Sequence, residues 1–298
     1  MNKPIKKVEY CLVLGCPRSG TTFLMTALNA LANSECVSGL LVPVSVPHLV
    51  NYSLPAYVYN ALAFELEASL QNYLDSGIPY SRLMALRKWL KGCMSSQELF
   101  QALQRKRAIE RIVYKEPFLS FAPEFTYRAL PDCRILHLYR DGRDCADSLV
   151  RTYDVLTDEK LMALNTPEMP LGRKYDERYV PWWVEEGREA EFLNSTPYVR
   201  AIWMWKEMVR RCHNFFSQPE VVATGRVLLV RYEDLVSDSY KYGEIIAKHF
   251  GAHMNKQLQK KFKKAHSFSI GIHKHRNPQE IEEAENVAKA ELELYGYL

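Results

Sequence analysis

The sequence predicts an α/β protein, a doubly wound parallel sheet flanked by helices, and three observations predict it. Four short apolar runs, Tyr10–Leu14, Arg111–Lys115, Arg134–Tyr139 and Arg226–Arg231, read as strands. The last three carry basic residues at their margins and apolar residues between, as strands buried on both faces do. Helical patterns separate these runs, and that alternation implies parallel pairing. Finally, the first strand runs into a glycine-bearing turn and an amphipathic helix, the place where such sheets present ligand groups.

The elements follow in order. Thr21–Asn33 carries Phe23, Leu24, Ala27, Leu28 and Leu31 at helical spacing. Ser95-x-x-Glu98 is a capping-box pattern that opens a helix to Arg107, with Leu99 and Leu103 on its apolar face. Asp144–Arg151 and Val199–Phe216 also read as helices, and Asp238–Phe250 stops at Gly251. Two stretches break the rhythm. Residues 52–92 look helical and form an insertion between the first and second strands. Residues 154–197, rich in Pro, Glu, Tyr and Trp, have weak periodicity and suit a lid or binding loop. No internal repeat divides the chain, so residues 1–298 read as one domain.

Composition excludes several classes of function. The net charge of +4 suits an anionic ligand but is too weak to argue for nucleic acid. The 7 cysteines are odd in number and lack a C-x-x-C pair, so neither a disulfide framework nor a zinc site is expected. A reducing, cytoplasmic setting is the natural expectation. No apolar segment precedes a small-residue cleavage site. The longest apolar stretch, Val37–Val50, holds two prolines and His48 and falls short of a membrane span.

The strongest signal is Leu14-Gly15-Cys16-Pro17-Arg18-Ser19-Gly20-Thr21-Thr22-Phe23. A strand, tight turn and helix in this order leave backbone N–H groups aimed at one spot, where the helix dipole favours an anion. Ser19, Thr21 and Thr22 add hydroxyls and Arg18 adds a fixed charge. The fold is therefore P-loop-like, but the Walker A lysine is missing because Thr21 follows Gly20 directly. A phosphotransferase using ATP is the alternative reading, and a plain turn with a threonine N-cap is the structural one. A second anion site follows the strand Arg134–Tyr139. Arg140 stands at its carboxyl end and Ser148 lies eight residues on, about two helical turns away. A solvated Arg–Asp turn is the competing account of Arg140-Asp141-Gly142-Arg143-Asp144.

These segments resemble the sulfotransferases that use 3′-phosphoadenosine 5′-phosphosulfate (PAPS). Pro17-Arg18-Ser19-Gly20-Thr21-Thr22 is similar to their 5′-phosphosulfate loop, in the bacterial and tyrosylprotein branch, and Arg140 with Ser148 resembles their 3′-phosphate site. Tyr114-Lys115-Glu116-Pro117-Phe118 is similar to a Lys-Asp-Pro-type segment, and Tyr232-Glu233-Asp234 to one whose tyrosine lies near the adenine. Lys274 and Arg276 loosely match a basic loop closing on the 3′-phosphate.

The resemblance implies sulfuryl transfer from PAPS to a small-molecule acceptor, a hydroxyl or amine nitrogen, in secondary metabolism. Arg18 and Lys115 would stabilise charge on the leaving oxygen, Phe23 would join the nucleotide loop, and no metal would be needed. The sequence departs from the family at the general base. Pro117 stands where the steroid and phenol branch has its histidine, and Val37–Leu41 holds no acid where the protein-tyrosine branch has its glutamate. His48 and Glu116 are the remaining candidates. Tyr175, Trp182 and Trp183 beside Asp176, Glu177, Glu185 and Glu186 suit a cationic or aromatic acceptor, or an amphipathic lid with its tryptophans inward. A carbohydrate or protein-tyrosine sulfotransferase and a non-catalytic nucleotide-binding module complete the alternatives.

Overall fold

The computed structural model describes residues 8–39, 41, 45–52, 54–76, 80–92, 94–104, 109–166 and 171–298. Cys93 and the expected helix end at Arg107 lie outside the described residues. The strands are β1 (Glu9–Leu14), β2 (Ser34–Ser38), β3 (Arg111–Lys115), β4 (Arg134–Tyr139), β5 (Gly172–Tyr175), β6 (Arg178–Pro181) and β7 (Val227–Arg231). Five of them form one sheet in the order β2-β3-β1-β4-β7, every pairing parallel. Val13 pairs with Lys115, Leu14 with His137, and Tyr139 with Arg231, so the carboxyl ends of four strands share one edge.

The helices are α1 (Thr21–Leu28), α2 (Val46–Val50), α3 (Ala56–Ser76), α4 (Tyr80–Leu90), α5 (Ser96–Gln104), α6 (Pro123–Ala129), α7 (Gly142–Tyr153) and α8 (Asp158–Met162). They continue with α9 (Glu189–Asn194), α10 (Pro197–Phe216), α11 (Pro219–Ala223), α12 (Tyr232–Ser237), α13 (Ser239–His249), α14 (Lys256–Phe262), α15 (Pro278–Val287) and α16 (Lys289–Leu294).

Three features differ from the expectation. The first helix ends at Leu28 rather than Asn33. Its last turn tightens through Ala30 N–H to Ala27 O at 2.9 Å and Leu31 N–H to Leu28 O at 2.8 Å, and Asn33 turns left-handed at φ 53°. That reversal launches β2, an edge strand whose mixed residues Ser34-Glu35-Cys36-Val37-Ser38 gave no strand pattern. The helical insertion therefore lies between β2 and β3. Residues 154–197 hold α8, the antiparallel hairpin β5–β6 and α9. Arg200 ties them down, donating to Leu156 O at 2.8 Å and Phe192 O at 3.1 Å.

The core forms on both faces of the sheet. Leu24, Leu28, Ile246, Phe250 and Phe262 cover one face. Leu66, Leu70, Phe125, Phe215 and Phe216 cover the other. Basic strand margins serve the amino-terminal edge, where Arg111 donates to Gly251 O at 3.0 Å and Arg134 to His249 O at 2.9 Å. There they satisfy carbonyls left open at the end of α13.

His137 is inside this core, 1% exposed, and neither ring nitrogen has a hydrogen-bond partner among the described residues. Burial, with help from the nearby His213, lowers its pKa from 6.5 to about 4. A neutral buried histidine resists protonation more than an unfolded one does. The stability it permits is therefore complete above pH 6.5 and is lost as the pH falls towards 4. We expect this group alone to cost roughly 2 kcal/mol between pH 7 and pH 4.5. Urea unfolding at both pH values checks it: His137→Leu should show a smaller acid loss than the wild type.

Candidate active site

The loop from Gly15 to Gly20 adopts a conformation that only certain sequences accept. Gly15 has φ 149°, and a Cβ there would meet Leu138 O at 2.3 Å. Gly20 has φ 97°, and a Cβ would lie 2.4 Å from the Tyr232 ring. Arg18, between them, is also left-handed at φ 72°. Strained residues of this kind gather at ligand sites. The Gly15 N–H donates to Ser120 Oγ at 2.8 Å, which fixes the loop to the 3₁₀ turn Pro117–Phe121 that follows Lys115. Ser19 is fully buried and its Oγ has no partner among the described residues. Thr21 is buried and Thr22 exposed at the start of α1, while Phe23 packs edge-on against Phe262 of α14, in the core.

The second loop meets the first. Arg140 is 4% exposed and its Nη1 donates to Arg18 O at 3.3 Å. Its Nη2 pairs with Asp144 Oδ2 at 3.3 Å and also donates to Ser269 O. The guanidinium carbon stands 4.8 Å over the Tyr232 ring. Its Nε is buried without a partner among the described residues. Ser148, one face along α7, accepts from Arg18 Nε at 2.8 Å. Arg18 also lies over Tyr153, 5.5 Å from the ring centre. The Tyr232 ring, 5% exposed, thus sits between Gly20 and Arg140 as a spacer, with its hydroxyl 3.4 Å from His266 O.

Lys115 ends β3, half-buried beside the loop. Burial lowers its pKa from the ordinary lysine value, opposed by the charge of Glu116. Glu116 is 5% exposed and caps the 3₁₀ turn through Phe118 N–H to Oε1 at 3.2 Å. Burial raises its carboxyl, although the Phe118 amide and Lys115 pull the other way. His48 lies on α2, which packs on that 3₁₀ turn. Its Nε2 is 2.7 Å from Tyr52 Oη, and its ring stacks on Trp182 at 5.1 Å. Trp182 in turn lies under Arg211 at 5.3 Å, whereas Trp183, 8% exposed, stacks on Phe121 in the core.

The carboxyl-terminal segment is only partly directed at the loops. Ser269 reaches Arg140, but Arg276 turns to Asp147 at 2.8 Å and Glu280 at 3.0 Å and lies over Tyr198. Lys274 is exposed. Sequence reading missed Ser120 and Tyr153, which carry no motif. It also saw Asp144 only as part of a charged turn, although its place four residues after Arg140 was a usable signal. No group of His, Cys, Asp and Glu fit to hold a metal occurs among the described residues. No helix among them is long and apolar enough to cross a membrane.

A family model described as "Sulfotransferase family" matches residues 11–184, more than half of the chain. Among solved structures, the sulfotransferase domain from the curacin biosynthetic pathway is 16% identical, covering 98% of this chain and 99% of that chain, at a TM-score of 0.50. Sulfotransferase STF1 from Mycobacterium tuberculosis H37Rv is 15% identical over 96% of this chain and 78% of that chain, at a TM-score of 0.46. Mouse sulfotransferase SULT7A1 complexed with PAP is 12% identical over 96% of this chain and 85% of that chain, also at 0.46. Among curated proteins no sequence matches. Structural likeness at such identities speaks for the fold alone. The family match spans both arginine loops and Lys115, and the chain belongs to the sulfotransferase family.

Proposed function

We propose that this sulfotransferase moves a sulfuryl group from PAPS to a hydroxyl or amine nitrogen of a small molecule and releases 3′,5′-bisphosphoadenosine. One observation carries the reading. Two anion loops touch through Arg140 Nη1 and Arg18 O, and each holds a buried donor without a partner among the described residues, Ser19 Oγ and Arg140 Nε. A buried orphan donor is costly, and an anion oxygen relieves it. A nucleotide with a phosphosulfate at one end and a phosphate at the other supplies one such oxygen to each loop.

In this reading the acceptor lone pair attacks sulfur while the bridging S–O bond breaks. The electron pair passes to the leaving phosphate oxygen, where negative charge grows. Fixed cations near that oxygen favour the transition state over the ground state, which is the role we assign to Arg18 and Lys115. The loop amides from Ser19 to Phe23 and the Thr21 and Thr22 hydroxyls serve the 5′ end, and Arg140, Ser148 and Lys274 the 3′ end. Tyr232 sets the distance between the two loops. Arg276 supports the 3′ side through Asp147.

His48 is the base we assign for the acceptor proton, with Tyr52 holding its ring, and Glu116 orients the turn after Lys115. Residues 154–197 form the acceptor-side lid within one sulfotransferase domain, a role supported by the stacking of Trp182 on His48. The six described cysteines, free and buried, suit a cytoplasmic setting.

The reading is tested by calorimetric titration with 3′,5′-bisphosphoadenosine and with ATP–Mg²⁺, followed by labelled-sulfate transfer to a panel of small acceptors. Tighter binding of ATP–Mg²⁺ would sink it. Arg140→Ala is expected to weaken bisphosphate binding by roughly tenfold to a hundredfold. Arg18→Ala and Lys115→Ala are expected to slow turnover by roughly a hundredfold with a smaller change in nucleotide affinity. The charged form of Lys115 does the work, so turnover falls as the pH rises through a pKa depressed below 10.5. Lys115→Arg should move that alkaline limb upward, because a guanidinium keeps its proton. In His48→Ala, turnover should no longer rise across the range where a histidine loses its proton. Unchanged pH profiles would withdraw both roles.

A further inference from the structure

Asp144 stands directly behind the Arg140 guanidinium and is fully buried. Four donors converge on its carboxylate. Oδ2 accepts from Arg140 Nη2 at 3.3 Å and from the Gly271 amide at 2.8 Å. Oδ1 accepts from the His273 amide at 3.2 Å and from His273 Nδ1 at 2.6 Å. His273 itself is 4% exposed. Burial alone would raise the Asp144 carboxyl, but the His273 hydrogen bond, the Gly271 amide and the Arg140 charge together hold it below the usual range. The carboxylate is ionised and every strong acceptor direction is used, so it offers nothing to a ligand.

Asp144 instead joins two parts of the anion site. One is the strand-end arginine, whose Nη2 it fixes while Nε stays open. The other is the segment that reaches across that arginine. Ser269 O accepts from Arg140, and two residues further on Gly271 is bonded to Asp144. Both the cation and its cover therefore take their position from one carboxylate, and His273 supplies two of that carboxylate's four donors. We propose that Asp144 and His273 form a positioning pair that sets the preference of the Arg140 site for the nucleotide's 3′-phosphate without touching the nucleotide. The inference rests on the nucleotide reading above and adds two residues to it. Removing the imidazole leaves a buried carboxylate short of its shortest donor. Arg140 Nη2 and the Gly271 amide then compete to compensate, and the aim of Nε is lost.

The test compares 3′,5′-bisphosphoadenosine with adenosine 5′-monophosphate by titration calorimetry of the full chain. Wild type is expected to prefer the bisphosphate. His273→Ala should weaken the bisphosphate about tenfold and the monophosphate less than twofold. His273→Asn places an amide N–H where Nδ1 stands and should recover bisphosphate binding to within about threefold of wild type. A role confined to folding would weaken both nucleotides alike. That result, an unchanged ratio in His273→Ala, or an Asn variant no better than Ala overturns the pair. If His273→Ala does not fold, Asp144→Asn replaces it: a collapsed ratio there beside a retained ratio in His273→Asn supports the proposal, and a retained ratio in Asp144→Asn overturns it. A wild type indifferent to the 3′-phosphate would refute the nucleotide reading first, and this pair with it.

Discussion

How one buried cation is held governs the carboxyl-terminal edge of the sheet. The Arg140 guanidinium is 4% exposed, and a charge taken that far from water is unfavourable by several kcal/mol unless its surroundings replace the lost hydration. Asp144, the Arg18 carbonyl, the Ser269 carbonyl and the Tyr232 ring face do so from four sides. Trp205 Nε1 secures the same residue's backbone by donating to Arg140 O at 3.0 Å. Nε is the one nitrogen of that guanidinium without a partner among the described residues.

That arrangement also sets the spacing of the two loops. Tyr232 follows β7 and Gly20 follows β1, yet the tyrosine ring fills the space a side chain at residue 20 would need. Arg140 lies over the same ring at 4.8 Å, so one tyrosine packs against both loops. Arg18, Ser148 and Tyr153 close the remaining side, where a hydroxyl and a phenol hold the loop arginine near α7. The site is preorganised by packing.

The surroundings of His48 follow different physics. His48, Trp182 and Arg211 make an aromatic and cationic cluster with Phe121, the last residue of the 3₁₀ turn that Glu116 caps. Glu116 spends one oxygen on capping that turn, and the His48 ring is held by Tyr52 and Trp182. Trp182 comes from the 154–197 segment, so that segment forms part of the surroundings of His48.

The sequence by itself determined four of the five strands of the sheet, several of the helices and the two loops that carry Arg18 and Arg140. Those depend on local patterns: period and apolar runs for β3 and β4, a glycine turn at Gly15 and Gly20, and an arginine at the end of a strand. It did not reveal β2, because an edge strand carrying Ser34, Glu35 and Ser38 needs only a partner and no apolar alternation. Nor did it assign Tyr232 its place as a spacer, turn Arg276 towards Asp147, or put His273 behind Arg140. Those contacts join residues far apart in the chain, as with His273 and Asp144, or Arg276 and Asp147, each at a separation of 129. Only tertiary packing chooses them, since a buried charge accepts whichever partner the fold delivers, and no local pattern encodes which one that is.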